Sequence, residues 1–388
     1  MQPMSKGRIA DIEILRAFAV LFVVLHHAHG NLISWASPRF DALTAHFSGG
    51  FGVDLFLAIS GFVIARDLLP RLGAAAQAGT AWRCILAFWV RRAWRLLPSA
   101  WFWLVAVLLA VVYFNRTGVF GTWGANLDAT YAGVLQFANW RFAETFMRSE
   151  YGASFVYWSL SLEEQFYIAL PLLALLARRW LVYVLVFLVA YQLFASRGLL
   201  MVMFRSDALM LGVLLAIWSR TASYERLRTL LPARGGSLLL AAFSLLMGAF
   251  WSDTLDVGTY KFSLVAICSI VLVWLASYDA ELFIAPGPWR RAAIWVGTRS
   301  YAIYLIHVPV FFAVRECWSR LYPQLPVDER FFYPFVLSAA ALIVVLSELN
   351  FRLLETPLRR RGALMARRVA GETPEPSGGL AVEQGLGR

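Results

Sequence analysis

Ten times along this chain a run of about twenty mostly apolar residues recurs, near 9–29, 50–69, 93–114, 156–177, 180–196, 205–219, 236–252, 259–277, 293–314 and 332–354. A helix needs about that many residues to cross the ~30 Å hydrocarbon layer of a bilayer. In lipid the backbone N–H and C=O groups must be satisfied within the segment, so each run reads as a helix. The expected fold is an all-α polytopic membrane protein with about ten transmembrane helices. Composition agrees, since 60% of the 388 residues are hydrophobic and only 15% charged, far from the even mixture of a soluble domain. With the N-terminus placed inside, Lys and Arg fall on inner segments about twice as often as on outer ones, so both termini are expected in the cytoplasm. The crowded stretch 178–205 is where an odd number of crossings would reverse one end.

The net charge of +11 then follows from inner arginines, and nucleic acid is not expected as a partner. Cys84, Cys268 and Cys317 lie in apolar surroundings without pairing or metal spacing and read as packing residues. The first run is too long for a cleaved leader and has no small-residue cleavage site, so it is read as a retained anchor. Residues 1–8 form a cytoplasmic N-terminal segment, 9–360 the transmembrane domain, and 361–388, rich in Gly, Pro and charge, a disordered cytoplasmic tail. The long outer segment near 115–155 contains the semi-apolar stretch YAGVLQFANWRF, which suits an interfacial or re-entrant piece capping a cavity.

Within the first run, Arg16 and His27 are eleven residues apart. On a helix that is close to three turns, about 20° from the same face and about 16 Å of rise. One stripe then reads Glu13, Arg16, Val20, Val23, His27, Gly30, with His26 about 80° away and His29 on the far side. Ionisable residues inside a lipid-spanning helix are costly and mark functional sites. The bland reading has Arg16 snorkelling and His27 facing the outer interface, but a carboxylate on the same stripe argues against it.

Other runs carry comparable groups. Asp54 in GGFGVDLFLAISGFVI lies near the depth of His27 and either holds that imidazole or caps its own helix. Arg92 and Arg95, one turn apart in WVRRAWRLLP, suit bidentate hydrogen bonding to a phosphate or diphosphate, with Trp89 and Trp94 available to stack on a purine; the alternative is an ordinary cytoplasmic anchor. Glu163 and Glu164 sit about two turns inside the fourth run and need partners. His307 lies in the middle or outer half of the ninth run, two residues before Pro309, which would kink the helix. Glu355 in FRLLETPLRR reads as an end-of-helix ion pair. By depth, His27, Asp54, Glu163 and His307 group in the outer half, and Arg16, Arg92 and Arg95 at the inner face. Acyl-CoA fits that layout, with its diphosphate at the arginines and its thioester near the histidine.

ILRAFAVLFVVLHH, GGFGVDLFLAISGFVI, RRAWRLLP, YWSLSLEEQFY, RSDALMLGVLLA, SYAIYLIHVP and FRLLETPLRR together resemble the integral-membrane acyltransferase-3 family, which O-acylates envelope polysaccharides, peptidoglycan and some glycosylated products. The resemblance covers about 9–360. It implies that His27 is the base activating an acceptor hydroxyl and that Arg16, Arg92 and Arg95 hold acyl-CoA. Glu13 stands where many relatives carry Asp. The expected activity is O-acyl transfer, most simply acetyl, from acyl-CoA to a carbohydrate hydroxyl in the inner (plasma) membrane. His27, Asp54, Glu163 and His307 form the catalytic set, with membrane lipid, acyl-CoA and a glycosylated acceptor as partners and no metal. The competing readings are a transporter or flippase for an anionic lipid-linked saccharide, whose pathway the same charges would line, and a scaffold in an exopolysaccharide-synthesis complex.

Overall fold

The computed structural model describes residues 8–230 and 235–371. Among them the chain is helical, without a strand. In order the helices are α1 (Ala10–Asn31), α2 (Pro38–His46), α3 (Gly52–Gln77), α4 (Ala81–Tyr113), α5 (Trp123–Val134), α6 (Ala138–Thr145), α7 (Tyr157–Ala177), α8 (Leu181–Phe194), α9 (Leu199–Met203) and α10 (Asp207–Trp218). They continue with α11 (Ala222–Leu227), α12 (Gly236–Trp251), α13 (Lys261–Ser277), α14 (Pro288–Thr298), α15 (Ser300–Leu321), α16 (Phe332–Asn350) and α17 (Thr356–Ala370). Helix occupies every one of the ten apolar intervals, but 6 helical stretches are long and apolar enough to cross a membrane, or 7 if the pair Phe40–His46 and Gly49–Gln77, bent by 57°, counts as one. The difference has a physical cause. α7 and α8 run together as one 38-residue helical stretch, Tyr157–Phe194, and α12 has 16 residues, about 24 Å at 1.5 Å per residue, short of the hydrocarbon thickness. The chain is a multi-pass membrane protein; below, "inner" means the end at which α1 begins.

Two features of the bundle position the site. The first is close backbone approach at small residues. A Cβ on Gly61 would lie 2.0 Å from the Leu209 carbonyl oxygen, and one on Gly212 2.3 Å from that of Ala58, so α3 and α10 pack backbone to backbone. The second is a set of buried ion pairs between helices. Arg290 holds Asp11 at 3.0 Å, tying α14 to α1, and Arg197 holds Asp207 at 2.5 Å. In the interior a guanidinium–carboxylate pair is tolerated only when its hydrogen bonds are filled. Asp11 meets that condition by also accepting from the Leu282 N–H at 3.0 Å, while its own backbone N–H donates to the Asp279 carboxylate at 3.2 Å.

Three expectations change. The ninth run is two helices, because the chain breaks at Arg299, whose guanidinium pairs with Glu348 and stacks between Trp295 and Phe351 at 4.5 and 4.4 Å. α15 runs through Pro309 as one helix. The stretch read as a tail from 361 begins as helix, since α17 continues to Ala370 with Gly362 pressed against Trp94. Residues 1–7 and 372–388 of the expected terminal segments lie outside the described residues.

Candidate active site

His27 occupies the last helical turn of α1. The helix ends there because His29 turns extended and Gly30 takes φ 79°, a conformation that costs glycine nothing. The His27 carbonyl accepts from the Asn31 side-chain amide at 2.9 Å. Its ring faces His307 of α15, with Nδ1 of His27 2.8 Å from Nε2 of His307 and the rings 13° from parallel. On its other side His307 points Nδ1 at the Ile303 carbonyl, 3.2 Å away. A carbonyl only accepts, so His307 donates through Nδ1. Its Nε2, in the neutral ring, then accepts the proton on Nδ1 of His27, which leaves His27 Nε2 with a free lone pair. Protonating both rings would set N–H against N–H across this bond. His307 is fully buried, whereas His27 is half-buried and lines an outer cleft of about 1000 Å³ with His26, Trp158, Arg205 and Trp251.

An inner cavity of about 100 Å³ lies below, lined among others by Arg16, Arg92, Arg95, Glu163, Tyr304 and Glu355. It opens into a vestibule of about 430 Å³ that shares Arg8, Glu13, Arg16, Arg92 and Arg95 and adds Arg66. Arg16 donates to Glu13 at 2.9 Å. Arg92 lies over the rings of Phe88 and Tyr167, at 5.5 and 5.4 Å. Neither Arg92 nor Arg95 makes an ion pair among the described residues, so their N–H donors are open to an anionic ligand. Glu355 reaches this cavity from a π-turn, Phe351–Glu355, between α16 and α17, and accepts from Asn350 at 2.9 Å. Val53 borders both the inner cavity and the outer cleft.

The family described as "Acyltransferase domain" matches residues 9–348. The chain belongs to this acyltransferase family. Among curated relatives it is similar to the peptidoglycan O-acetyltransferase OatA of Listeria monocytogenes, 27% identical over 92% of this chain and 57% of the relative. It is also similar to the putative peptidoglycan O-acetyltransferase YrhL of Bacillus subtilis, 28% identical over 91% of this chain and 55% of the relative. A third relative is the O-acetyltransferase OatA of Staphylococcus aureus, 26% identical over 92% and 58%. The acyltransferase thus spans little more than half the length of these relatives. No solved structure matches it.

Against this geometry the expected site residues separate. Arg16, Arg92 and Arg95 come together at the inner cavity, and His27 meets His307. Asp54 does not hold His27. Its two oxygens accept from Arg205 Nε and Nη2 at 2.7 and 3.1 Å, which also removes it as a cap of α3. Glu163 falls at the inner cavity rather than in the outer half, and accepts from Ser60 and Tyr167. The reason is that α5 and α6 fold in against the start of α7, where Asn139 of α6 exchanges hydrogen bonds with Gln165 at 3.1 and 3.0 Å, so the outer end of α7 is sunk within the protein. Phe142 and Phe146 of this inserted segment line the outer cleft, as a capping piece would. Trp89 donates to the Tyr167 carbonyl at 3.1 Å and Trp94 packs on Gly362, so both are helix-packing residues and neither lines the cavity. Sequence reasoning missed Arg205 as the partner of Asp54, and Arg8, Arg66 and Arg359 as cavity or vestibule residues. The Arg205-Ser-Asp207 triplet, two charges at the start of an apolar run, was the available signal.

Proposed function

We propose that this acyltransferase moves an acetyl group from acyl-CoA, held at the inner arginines, to a hydroxyl of a peptidoglycan-type saccharide in the outer cleft. The topology that goes with this reading has ten crossings in the plasma membrane and both termini in the cytoplasm. The observation that carries it is the Ile303–His307–His27 chain, which fixes the tautomer of His27 and leaves Nε2 unshared beside the outer cleft. His27 is the general base, and His307 is a positioning residue. Arg92 and Arg95, with Arg16 and Arg66 beside them, bind the donor phosphates in the vestibule. The inner cavity has room for the thioester end of the donor, while the nucleotide end stays at the mouth. The acceptor oxygen bonds to the acyl carbon as its proton passes to His27 Nε2. The carbon–sulfur bond breaks, and the thiolate takes a proton from water on the inner side. The imidazolium then returns its proton to water in the cleft. The aromatic walls of the cleft, among them Phe142, Phe155 and Trp158, suit the apolar faces of sugar rings. Asp54, fully engaged by Arg205, and Glu163, engaged by Ser60 and Tyr167, shape the site without touching the reacting atoms.

The test is acetyl-CoA consumption and transfer to glycan acceptors by the purified protein in detergent. His27→Ala is expected to lose about 10²- to 10⁴-fold in turnover, the usual contribution of a general base. His307→Gln, which can still hydrogen-bond Nδ1 of His27, is expected to retain more activity than His307→Ala, with the pH profile displaced in both. Full activity in His27→Ala sinks the assignment. A wild-type protein that leaves acetyl-CoA untouched with every acceptor favours a saccharide transporter instead.

A further inference from the structure

Three helices pass from the inner cavity to the outer cleft at one level. On α7, Ser159 lines the inner cavity and its neighbour Trp158 the outer cleft. On α15, Tyr304 lines the inner cavity and His307, one turn on, holds His27. On α3, Val53 lines both spaces, so the partition is one side chain thick at that point. The other members of this layer are tied down. Tyr304 and Ser159 hydrogen-bond at 2.7 Å, the Tyr304 hydroxyl also reaches the Val156 carbonyl at 3.0 Å, and Trp158 lies 4.9 Å beneath the Arg205 guanidinium. Val53 carries no polar group, yet its backbone cannot retreat. On one side Gly52 is pressed to α1, where a Cβ would meet the Ala19 carbonyl oxygen at 2.4 Å. On the other Asp54 is clamped by Arg205.

We propose that Val53 is the acyl-size gate of this enzyme: its isopropyl group sets the bore through which the acyl carbon of the donor meets the acceptor hydroxyl, and restricts transfer to short acyl groups. The proposal rests on the reading that the donor enters from the inner side and the acceptor from the outer. The bonds made and broken are those given above, with the ester C–O bond formed and the thioester C–S bond broken at this layer. Val53 does no chemistry. It decides which acyl chains reach it. One methylene more or less in an apolar pocket changes discrimination by about 10- to 200-fold, so removal of two methyl groups from the gate is large on that scale.

The experiment compares acetyl-, propionyl- and butyryl-CoA as donors for wild type, Val53→Ala and Val53→Phe, all purified in detergent. Thermal stabilisation by CoA is recorded in parallel as a measure of donor binding. Val53→Ala is expected to raise the butyryl-to-acetyl rate ratio at least tenfold. Val53→Phe is expected to keep its stabilisation by CoA, which also certifies its fold, while transfer from every donor falls at least a hundredfold. An unchanged chain preference in Val53→Ala, or wild-type transfer by Val53→Phe, overturns the gate while leaving the two-sided reading in place. A wild-type protein that neither binds nor consumes acetyl-CoA overturns both.

Discussion

Arg95 and Arg205 are both guanidinium groups set within a helical bundle, yet one has no ion-pair partner among the described residues and the other has all three of its nitrogens hydrogen-bonded. Arg205, 1% exposed, is held bidentately by Asp54, donates to the Val202 carbonyl at 2.8 Å and is enclosed by the rings of Trp158, Trp251 and Phe262. Two further cations at the outer cleft are ion-paired, Arg197 with Asp207 and Lys261 with Asp253. At the inner cavity Arg92 and Arg95 face three carboxylates, Glu13, Glu163 and Glu355, that are engaged elsewhere by Arg16, by Ser60 with Tyr167, and by Asn350. Cations around the outer cleft therefore serve the fold, and Arg92 and Arg95 of the inner cavity stay free for a ligand that comes and goes. A buried charge without a resident partner is costly, and a protein that keeps several together is arranged for an anion supplied from outside.

The largest effect that would break this contrast is on stability at the outer pair. Asp54→Ala strands the Arg205 guanidinium, and removal of one partner of a buried pair costs about 3–5 kcal/mol. A fall of many degrees in the thermal midpoint is expected, with or without donor present. The double variant Asp54→Ala/Arg205→Met is expected to be more stable than Asp54→Ala alone, because no charge is then left unpaired. If Asp54→Ala keeps its thermal midpoint and loses only activity, Asp54 belongs to the chemistry and the contrast fails.

The next effect is on the donor. Arg95→Ala is expected to leave the thermal midpoint of the ligand-free protein within a degree or two while raising KM for acetyl-CoA about 10- to 100-fold, the worth of a lost charge-assisted contact of about 1.5–3 kcal/mol. Raising the salt concentration should narrow the gap between wild type and variant, since an open vestibule is screened. An equal loss of kcat at saturating donor would instead mean that Arg95 acts only in the transition state.

Much of this contrast was legible in the chain. The 3.6-residue period of the first run put Arg16 and His27 on one stripe, and α1 carries them to the inner cavity and the outer cleft respectively. The Arg92/Arg95 pair followed from one-turn spacing, a local property. Contacts between distant segments were not legible. His27 and His307 are 280 residues apart, and Asp54 and Arg205 151, so no periodicity relates them. Depth arguments assigned Asp54 to His27 because both lie near the outer ends of adjacent helices, and Arg205 outcompetes the imidazole as a planar bidentate partner. Glu163 was misplaced for a related reason. Counting turns from the start of α7 assumes that the helix begins at the membrane surface, whereas α5 and α6 cover it.

The smallest effect comes from the outer cation that is least enclosed. Lys261 meets both oxygens of Asp253 at 2.9 Å, but the Asp253 side chain is 61% exposed. Exposed pairs are worth about 0–1 kcal/mol and are screened by salt. Lys261→Ala is therefore expected to move the thermal midpoint by no more than a degree or two and to leave KM for acetyl-CoA at the wild-type value. This variant sharpens the comparison because Lys261 lines the same outer cleft as His27. If the acyl donor were bound from the outer side, its phosphates would find Lys261 among the nearest cations, and the substitution would raise KM as Arg95→Ala does. Side-by-side donor titrations of Lys261→Ala and Arg95→Ala thus report from which end of the bundle the donor is held.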